Sequence, residues 1–234
     1  MAMLEIENLS AFYGRAQSLH EVSFNVEQGA IVGVIGTNGA GKSTLMDAIM
    51  GMVQTTGFIR LNGEDLTALS TGDIVRRGVG YAPERAHLFP FMSVEDNLLV
   101  GGYTAREDIA RNLAHVHELF PVLRERAHQE TSTQSGGERQ MVSVGRALMT
   151  SPSLLLVDEP TIGLSPKVCT EIAETLRRLN RENGLTILIT EQNINFAMEL
   201  ATEVHVLETG HLRISGAPAE LAQDPELNRS YFGE

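Results

Sequence analysis

The stretch GTNGAGKST (36–44) follows the apolar run AIVGVI (30–35) and leads into residues 43–50, whose apolar side chains recur at helical spacing. A short, continuously apolar run is typical of a strand buried on both faces of a parallel sheet. The glycine-rich segment has the spacing G-x-x-x-x-G-K-S and would connect that strand to a helix. Its glycines let backbone N–H groups surround a phosphate, and the start of a helix attracts the same anion. The sequence therefore predicts a nucleotide site.

Two side chains of this segment have the chemistry that a nucleotide with Mg²⁺ requires. The ammonium of Lys42 can reach the β- and γ-phosphates, and the hydroxyl of Ser43 can ligate the metal. Lys42 is one of two lysines in the chain, the other being Lys167. The wide planar fork of an arginine would not replace a compact ammonium here. The residues of the segment expected to contact the nucleotide are Gly36, Asn38, Gly39, Ala40, Gly41, Lys42, Ser43 and Thr44.

A second apolar run, LLLVDE (154–159), ends in two carboxylates. An ordinary strand followed by an acidic turn would give the same pattern, so the run alone leaves both interpretations open. Together with a phosphate-binding loop upstream, it favours a catalytic role. Asp158 would then hold Mg²⁺ through water, and Glu159 would be the general base that polarises the attacking water.

The segment QSGGERQ (134–140) has no role in a simple phosphate-binding loop protein. Ser135 is a suitable N-cap for a helix, and this structural role alone would explain it. Consecutive glycines at a helix start also leave N–H groups available to an anion. Two phosphate-type segments in one chain suggest that one nucleotide is bound between two chains.

The rest of the pattern indicates an α/β fold. Residues 1–30 alternate as antiparallel strands, about 91–150 show helical periodicity, and apolar strand signals return at 154–157 and 186–190. Alternating strands and helices predict an α/β fold, and the phosphate loop between a strand and a helix makes it a P-loop NTPase core, a mostly parallel sheet with flanking helices. We expect a single ATP-binding domain over 1–234, with an N-terminal antiparallel β subdomain and an inserted helical subdomain that carries the second phosphate-type segment.

Composition excludes several functional classes. The 234 residues carry 30 acidic against 18 basic side chains, a formal net charge of −12. A nucleic-acid surface needs basic side chains to neutralise phosphates, so no nucleic-acid partner is expected. No apolar run reaches the roughly 20 residues of a membrane span. No cluster of cysteine, histidine or aspartate has zinc-like spacing, and the single cysteine, Cys169, excludes an internal disulfide.

The motifs GTNGAGKST, SGGERQ (135–140) and LLLVDEP (154–160), in this order, resemble those of the ATP-binding subunits of ABC transporters. The resemblance covers nearly the whole chain. It implies a head-to-tail dimer in which each ATP lies between the phosphate loop of one subunit and the SGG segment, or signature, of the other. Tyr13 matches the aromatic residue that stacks on adenine, although tyrosines are also common at strand ends for packing. The signature residues implied to act across the dimer are Ser135, Gly136, Gly137 and Glu138.

Further stretches resemble one branch of the family, the F-type ATP-binding subunit of branched-chain amino acid importers. Relatives in this branch include subunits for urea and short amides, so the branch does not determine the substrate. The stretches that carry this resemblance are PERAHLFPFMSVEDNLLVGG (83–102), HELFPVLRER (117–126), SVGRALM (143–149), TEQN (190–193), VLETGH (206–211) and SYFG (230–233).

The resemblance implies further site residues where this chain departs from the general ABC pattern. Glu84 stands where the loop that senses the membrane subunits usually has glutamine, and with Ser43 and Asp158 it is expected to ligate Mg²⁺. Gln192 replaces the catalytic switch histidine; it can hydrogen-bond a γ-phosphate but cannot take up a proton. Leu164 stands where an aspartate usually connects the two sites. Two further departures, Arg85 for glycine and Gln134 for leucine, have no explanation in the sequence.

Together these residues predict a transport ATPase that uses ATP and Mg²⁺ to power uptake of branched-chain amino acids or a similar small polar substrate. The implied partners are two membrane-spanning permease subunits, a related ATP-binding subunit or a second copy, and indirectly a periplasmic or extracellular substrate-binding protein. The chain would lie at the cytoplasmic face of the inner (plasma) membrane, with Phe89-Pro90-Phe91 as an apolar socket for a permease helix. The open alternatives are a urea or short-amide importer, a slow regulatory nucleotide-binding module, and a soluble ABC protein acting on ribosomes or DNA, which the charge disfavours.

Overall fold

The computed structural model describes residues 2–224, so the stretch 230–233 that contributed to the resemblance lies outside the described residues. The strands are β1 (Ala2–Tyr13), β2 (Ala16–Glu27), β3 (Ile31–Ile35), β4 (Gln54–Leu61), β5 (Glu64–Asp65), β6 (Val79–Ala82), β7 (Leu154–Asp158), β8 (Thr186–Glu191), β9 (Glu203–Glu208) and β10 (His211–Gly216). The α-helices are α1 (Lys42–Ile49), α2 (Thr71–Arg76), α3 (Val94–Gly101), α4 (Ile109–Leu119), α5 (Pro121–Glu125), α6 (Gly136–Leu148), α7 (Pro166–Asn183), α8 (Ile194–Leu200) and α9 (Pro218–Leu221). Among residues 2–224, none of these helices combines the length and apolar character needed to cross a bilayer.

The chain divides into two compact units, the first formed by Met1–Thr71 with Thr186–Glu234 and the second by Gly72–Leu185. An antiparallel sheet with the strand order β2-β1-β4-β5 lies in the first unit. β1 pairs with both neighbours: Leu4 lies opposite Val26 of β2 and opposite Leu61 of β4, and all three side chains are buried. The antiparallel sheet of the predicted fold class is confirmed, and β4 and β5 extend it beyond the two strands that the sequence indicated.

The first unit also contains parallel strands. β3 pairs in parallel with β8 on one side and β9 on the other, and β9 pairs antiparallel with β10. All five residues of β3 are buried, as its continuously apolar sequence predicts. The carboxyl ends of β3 and β8 therefore lie side by side, with Ile35 opposite Glu191. This arrangement places the phosphate loop, which follows β3, beside the residues that follow β8.

The second unit joins a short parallel pair to a group of helices. β6 runs parallel to β7, with Ala82 opposite Val157. The helices α3, α4, α5 and α6 lie within the region expected to be helical, and α6 begins at the Gly136 of the signature. The α/β fold class is thus present in the described residues. The single-domain assignment and the bounds of its subdomains stay predictions.

His205 makes the stability of the first unit depend on pH. The ring is 2% exposed on β9, lies against Phe24, and has its Nδ1 2.7 Å from the Ser215 hydroxyl. Burial away from water lowers the pKa of His205 from its ordinary 6.5 to about 4. Between these two values the unfolded chain binds more protons than the folded chain. Stability is therefore fully present above pH 6.5 and falls as the pH drops towards 4, by about 3 kcal/mol in total.

Urea unfolding of wild type and His205→Gln at pH 7 and pH 4.5 tests this expectation. The wild type should lose more stability between the two pH values than the variant, because glutamine has no proton to gain. His115→Gln, at a half-buried histidine, is the control and should retain the wild-type pH dependence. An equal loss of stability between pH 7 and pH 4.5 in wild type and His205→Gln would contradict the expectation.

Candidate nucleotide site

The phosphate loop begins where β3 ends, and three of its positions need glycine. A Cβ at Gly36 would lie 2.3 Å from the carbonyl oxygen of Leu207, so no larger residue fits. Gly39 and Gly41 have φ angles of +82° and +107°, which side chains other than glycine rarely adopt. Gly41 is the N-cap of α1, so the loop leads directly into the positive end of that helix. The backbone is therefore shaped to receive an anion at the start of α1.

Lys42 lies within this loop rather than on the surface. Its side chain is buried, and its Nζ donates hydrogen bonds to the carbonyl oxygens of Gly36 at 2.8 Å and Thr37 at 3.0 Å. Ser43 is half-buried, whereas the neighbouring Thr44 hydroxyl lies 2.9 Å from the Ser18 hydroxyl. The loop thus holds a buried cation beside a hydroxyl that can ligate a metal. Of the remaining predicted contact residues, Asn38 and Gly39 are exposed and Ala40 is buried.

Tyr13 ends β1, and its side chain is 51% exposed. Its hydroxyl donates a 2.9 Å hydrogen bond to Oδ2 of Asp47, which lies on α1. This bond restrains the ring beside the helix that follows the phosphate loop. Sequence reasoning missed Asp47, because no local spacing links two residues that are 34 positions apart.

Gln192 is exposed directly after β8, and its neighbour Glu191 connects it to the phosphate loop. The Glu191 carbonyl accepts a hydrogen bond from Gly36 N–H at 3.2 Å. The Glu191 carboxylate is buried and accepts from Asn193 N–H at 3.1 Å. The end of β8 is thereby fixed to the loop, and the adjacent Gln192 is exposed. The sequence offered a signal for Glu191, a carboxylate at the end of an apolar strand, but the prediction did not use it.

Asp158 and Glu159, the two carboxylates predicted to act on Mg²⁺ and on the attacking water, lie at the end of β7 in the second unit. Asp158 is 1% exposed, and the Tyr81 hydroxyl lies 3.5 Å from its Oδ2. Glu159 is also buried and has a φ of +44°, a left-handed conformation that costs a non-glycine residue free energy. Glu84 follows β6, the parallel neighbour of β7, so all three carboxylates lie at or just after the ends of adjacent strands.

Arg85, which the sequence left unexplained, points into solvent. Its side chain is 81% exposed, and its Nε lies 3.8 Å from Oε1 of the partly exposed Glu84. An exposed pair at this distance contributes little to stability. The structure therefore gives Arg85 no packing role, and the Glu84 carboxylate stays accessible to another ligand.

The signature starts α6 with a reciprocal cap. The Ser135 hydroxyl accepts from Glu138 N–H at 3.3 Å, and the Glu138 carboxylate accepts from Ser135 N–H at 2.8 Å. Arg126, which sequence reasoning missed, lies 3.2 Å from the other oxygen of Glu138. A Cβ at Gly137 would lie 2.6 Å from Cγ1 of Val168, so the signature backbone packs closely against α7. The predicted N-cap role of Ser135 is present in the structure.

Gln134 is buried in the position where the resemblance implies leucine. The residue is 4% exposed, and neither its amide nitrogen nor its amide oxygen has a hydrogen-bond partner among the described residues. Gln134→Leu removes two buried polar atoms at similar volume, so we expect a gain of about 1–3 kcal/mol in the free energy of unfolding. Urea unfolding measures it. Gln129→Leu is the control. It removes the hydrogen bond that the Gln129 amide donates to the Thr133 hydroxyl, so it should not raise the free energy of unfolding. A loss of stability in Gln134→Leu would show that the amide is satisfied in solution.

The fold, the phosphate loop and the capped signature together define the class of the protein. The family model described as ABC transporter matches residues 19–162 of the chain. The chain belongs to the ABC transporter family, as an ATP-binding domain of the ATPase class. Among solved structures, the ADP conformation of MJ1267, an ATP-binding cassette of an ABC transporter, superposes with a TM-score of 0.88 at 25% identity and covers 100% of both chains. The predicted fold class and ATPase activity are confirmed at this level.

Curated relatives match the chain over its whole length. It is 43% identical over 233 residues to the high-affinity branched-chain amino acid transport ATP-binding protein BraG of Pseudomonas aeruginosa, covering 99% of this chain and 100% of BraG. It is 33% identical to the probable branched-chain amino acid transport ATP-binding protein LivF of Archaeoglobus fulgidus, covering 99% of each. It is 35% identical over 242 residues to the lipopolysaccharide export system ATP-binding protein LptB of Escherichia coli strain K12, covering 100% of this chain and 98% of LptB.

Proposed function

We propose that this chain is the ATP-hydrolysing subunit of an importer for branched-chain amino acids or a similar small polar substrate. The observation that carries the substrate class is the 43% identity to BraG over essentially both full chains. LivF supports the same class, whereas LptB is named for export and is less similar than BraG. The urea or short-amide importer is the alternative that the uptake experiment below separates.

The donor set of the phosphate loop fits ATP with Mg²⁺. Lys42 and the N–H groups at the start of α1 supply positive charge for the β- and γ-phosphates, and the ring of Tyr13 supplies a stacking surface for adenine. The proposed magnesium ligands are the Ser43 hydroxyl and the Glu84 and Asp158 carboxylates, hard oxygen donors of the kind that this ion prefers. When bound, Mg²⁺ would neutralise charge on the β- and γ-phosphates.

Glu159 and Gln192 are the proposed catalytic residues. The buried Glu159 carboxylate would accept a proton from the attacking water, and its left-handed backbone sets the direction of the side chain. Gln192 would donate its amide hydrogens to the γ-phosphate without changing charge. The signature, Ser135 to Glu138, would contact the ATP of the partner chain through the N–H groups at the start of α6.

An exposed apolar segment supports the proposed contact with membrane subunits. Phe89 and Phe91 are 48% and 84% exposed, although they are separated by only one residue in the chain. Large apolar side chains exposed together are typical of a surface that contacts another protein. We assign this segment to one of two permease subunits, which would hold the chain at the cytoplasmic face of the membrane. The second ATP-binding subunit is a related chain or a second copy, and a substrate-binding protein delivers the substrate.

The proposal is tested by isolating the tagged chain from detergent-solubilised membranes of its source, identifying the co-purifying proteins and reconstituting the complex in liposomes. We expect permease subunits in the preparation and ATP-dependent uptake of labelled leucine. Uptake of urea or acetamide in place of leucine would change the proposed substrate class to urea or short amides. Absence of permease subunits, or of any ATP-dependent uptake, would overturn the proposed function.

A further inference from the structure

The segment between Glu84 and Phe89 has an unusual backbone. Ala86 and His87 have φ angles of +57° and +41°, two consecutive non-glycine residues in the left-handed region. Each such residue is unfavourable by itself, so the surrounding structure must hold both in place. The conformation matters because the exposed Phe89 and Phe91 rings follow immediately.

Arg146 of α6 holds these two residues. Its Nη2 donates to the Ala86 carbonyl at 2.7 Å, and its Nη1 donates to the His87 carbonyl at 3.0 Å. Burial of the guanidinium lowers the pKa of Arg146, and no carboxylate of the described residues contributes to that shift. The half-buried cation is thus compensated by carbonyl dipoles of the strained segment itself. Two donors of one planar fork fit two successive carbonyls, a geometry that lysine cannot reproduce.

Other side chains fix the same segment from the opposite end. The fully buried Asn97 accepts from Phe89 N–H at 2.9 Å and donates to the Phe89 carbonyl at 3.1 Å. The Thr131 hydroxyl donates to the same carbonyl at 2.8 Å. The backbone is therefore anchored on both sides while the aromatic rings remain exposed. A displacement of the rings would also move the side chains that bind this backbone, because the bound backbone has little freedom to move by itself.

One of these anchors leads directly to the signature. Arg146 lies on the helix that begins with Gly136 and is capped by Ser135. α3 packs closely on this helix near Arg146, since a Cβ at Gly101 would lie 2.2 Å from the Arg146 carbonyl oxygen. A helix transmits displacement along its axis with little loss because each turn is hydrogen-bonded to the next.

We infer that Arg146 is a positioning residue that links the exposed segment Phe89–Phe91 to the signature, so that a permease helix bound at the rings displaces α6. This inference rests on the proposed function, which supplies the permease as the bound partner. It gives Arg146 a role in coupling transport to hydrolysis, separate from ATP binding by the isolated chain.

The test uses the reconstituted complex with Arg146→Lys, which retains the charge but loses the fork. Arg111→Lys, at an exposed arginine of α4, is the matched control. We expect Arg146→Lys to bind ATP within about twofold of wild type as an isolated chain and to lower leucine uptake per ATP hydrolysed at least about fivefold, a loss of coupling between sites of the usual size. Arg111→Lys should couple as wild type does.

A second variant separates coupling from simple stabilisation of the strained segment. His87→Gly relieves the positive φ, so Arg146→Lys with His87→Gly should recover melting temperature. We expect uptake per ATP hydrolysed to remain low in this double variant. Recovery of both quantities, or wild-type coupling in Arg146→Lys alone, would overturn the inference. Failure of the wild-type complex to take up any substrate would instead overturn the proposed function.

Hydrogen exchange gives an independent readout. In the wild type, assembly with the permease should slow amide exchange in Phe89–Phe91 and also change exchange in residues 135–140. In Arg146→Lys the change at 135–140 should be lost while the protection of Phe89–Phe91 remains. An unchanged response at 135–140 in the variant would contradict the assigned link.

Discussion

Replacing Glu159 with glutamine is expected to reduce ATP hydrolysis by the assembled complex at least about 100-fold, the usual contribution of a positioned general base. Glutamine has nearly the same shape as glutamate but cannot accept the proton of the attacking water. The substitution leaves the phosphate loop unchanged, so ATP should still bind. We expect the variant to retain ATP and to accumulate as the proposed head-to-tail dimer, because the ATP that lies between the two subunits is not consumed.

Phosphate release and size-exclusion chromatography with ATP measure these two effects. Glu174→Gln, at an exposed glutamate of α7, is the matched control and should hydrolyse ATP as wild type does. A Glu159→Gln complex that turns over at the wild-type rate would place catalysis in the site of the related subunit. In that case this chain would be the slow regulatory module that Gln192 and Leu164 leave open.

Replacing Lys42 with alanine is expected to weaken ATP binding by about 10- to 100-fold. The reason is the loss of a buried ammonium that would contact phosphate oxygens, because charge-assisted hydrogen bonds of this kind are worth about 1.5–3 kcal/mol. The carbonyls of Gly36 and Thr37 would also lose their donor, which loosens the loop. Lys42→Arg should not restore binding, since the planar guanidinium does not fit where a compact ammonium lies.

Titration with a fluorescent ATP analogue measures this loss directly. The chain provides its own matched control, because the second lysine, Lys167, is exposed on α7. Lys167→Ala removes the same charge from the protein and should bind ATP with wild-type affinity. Lys42→Ala that binds ATP as tightly as Lys167→Ala would contradict the assignment of Lys42 to the phosphates.

The phosphate loop could be predicted from sequence because its chemistry is local. Gly36, Gly41 and Lys42 belong to one turn of backbone between one strand and one helix, so their spacing encodes their geometry. The same holds for Asp158 and Glu159 at one strand end and for the capped start of α6. In each case the residues that act together are neighbours along the chain.

The tertiary structure alone revealed the residues that position these groups. Asp47 orients Tyr13 across 34 positions, and Arg146 reaches the carbonyls of His87 and Ala86 across 59 and 60. The antiparallel strand β4 was likewise missed, because QTTGFIRL (54–61) lacks a clear alternation of apolar and polar residues and is stabilised as a strand by pairing with β1.

The sequence by itself determined the α/β class, the nucleotide chemistry of GTNGAGKST and the family, since each depends on residue types at short, fixed spacing. Only the tertiary structure decided three features: the strained backbone at Glu159, the buried amide of Gln134 that has no partner among residues 2–224, and the two carbonyls bound by Arg146. The physical reason is that burial and long-range hydrogen bonds depend on which segments fold against each other. Local periodicity carries no information about those partners.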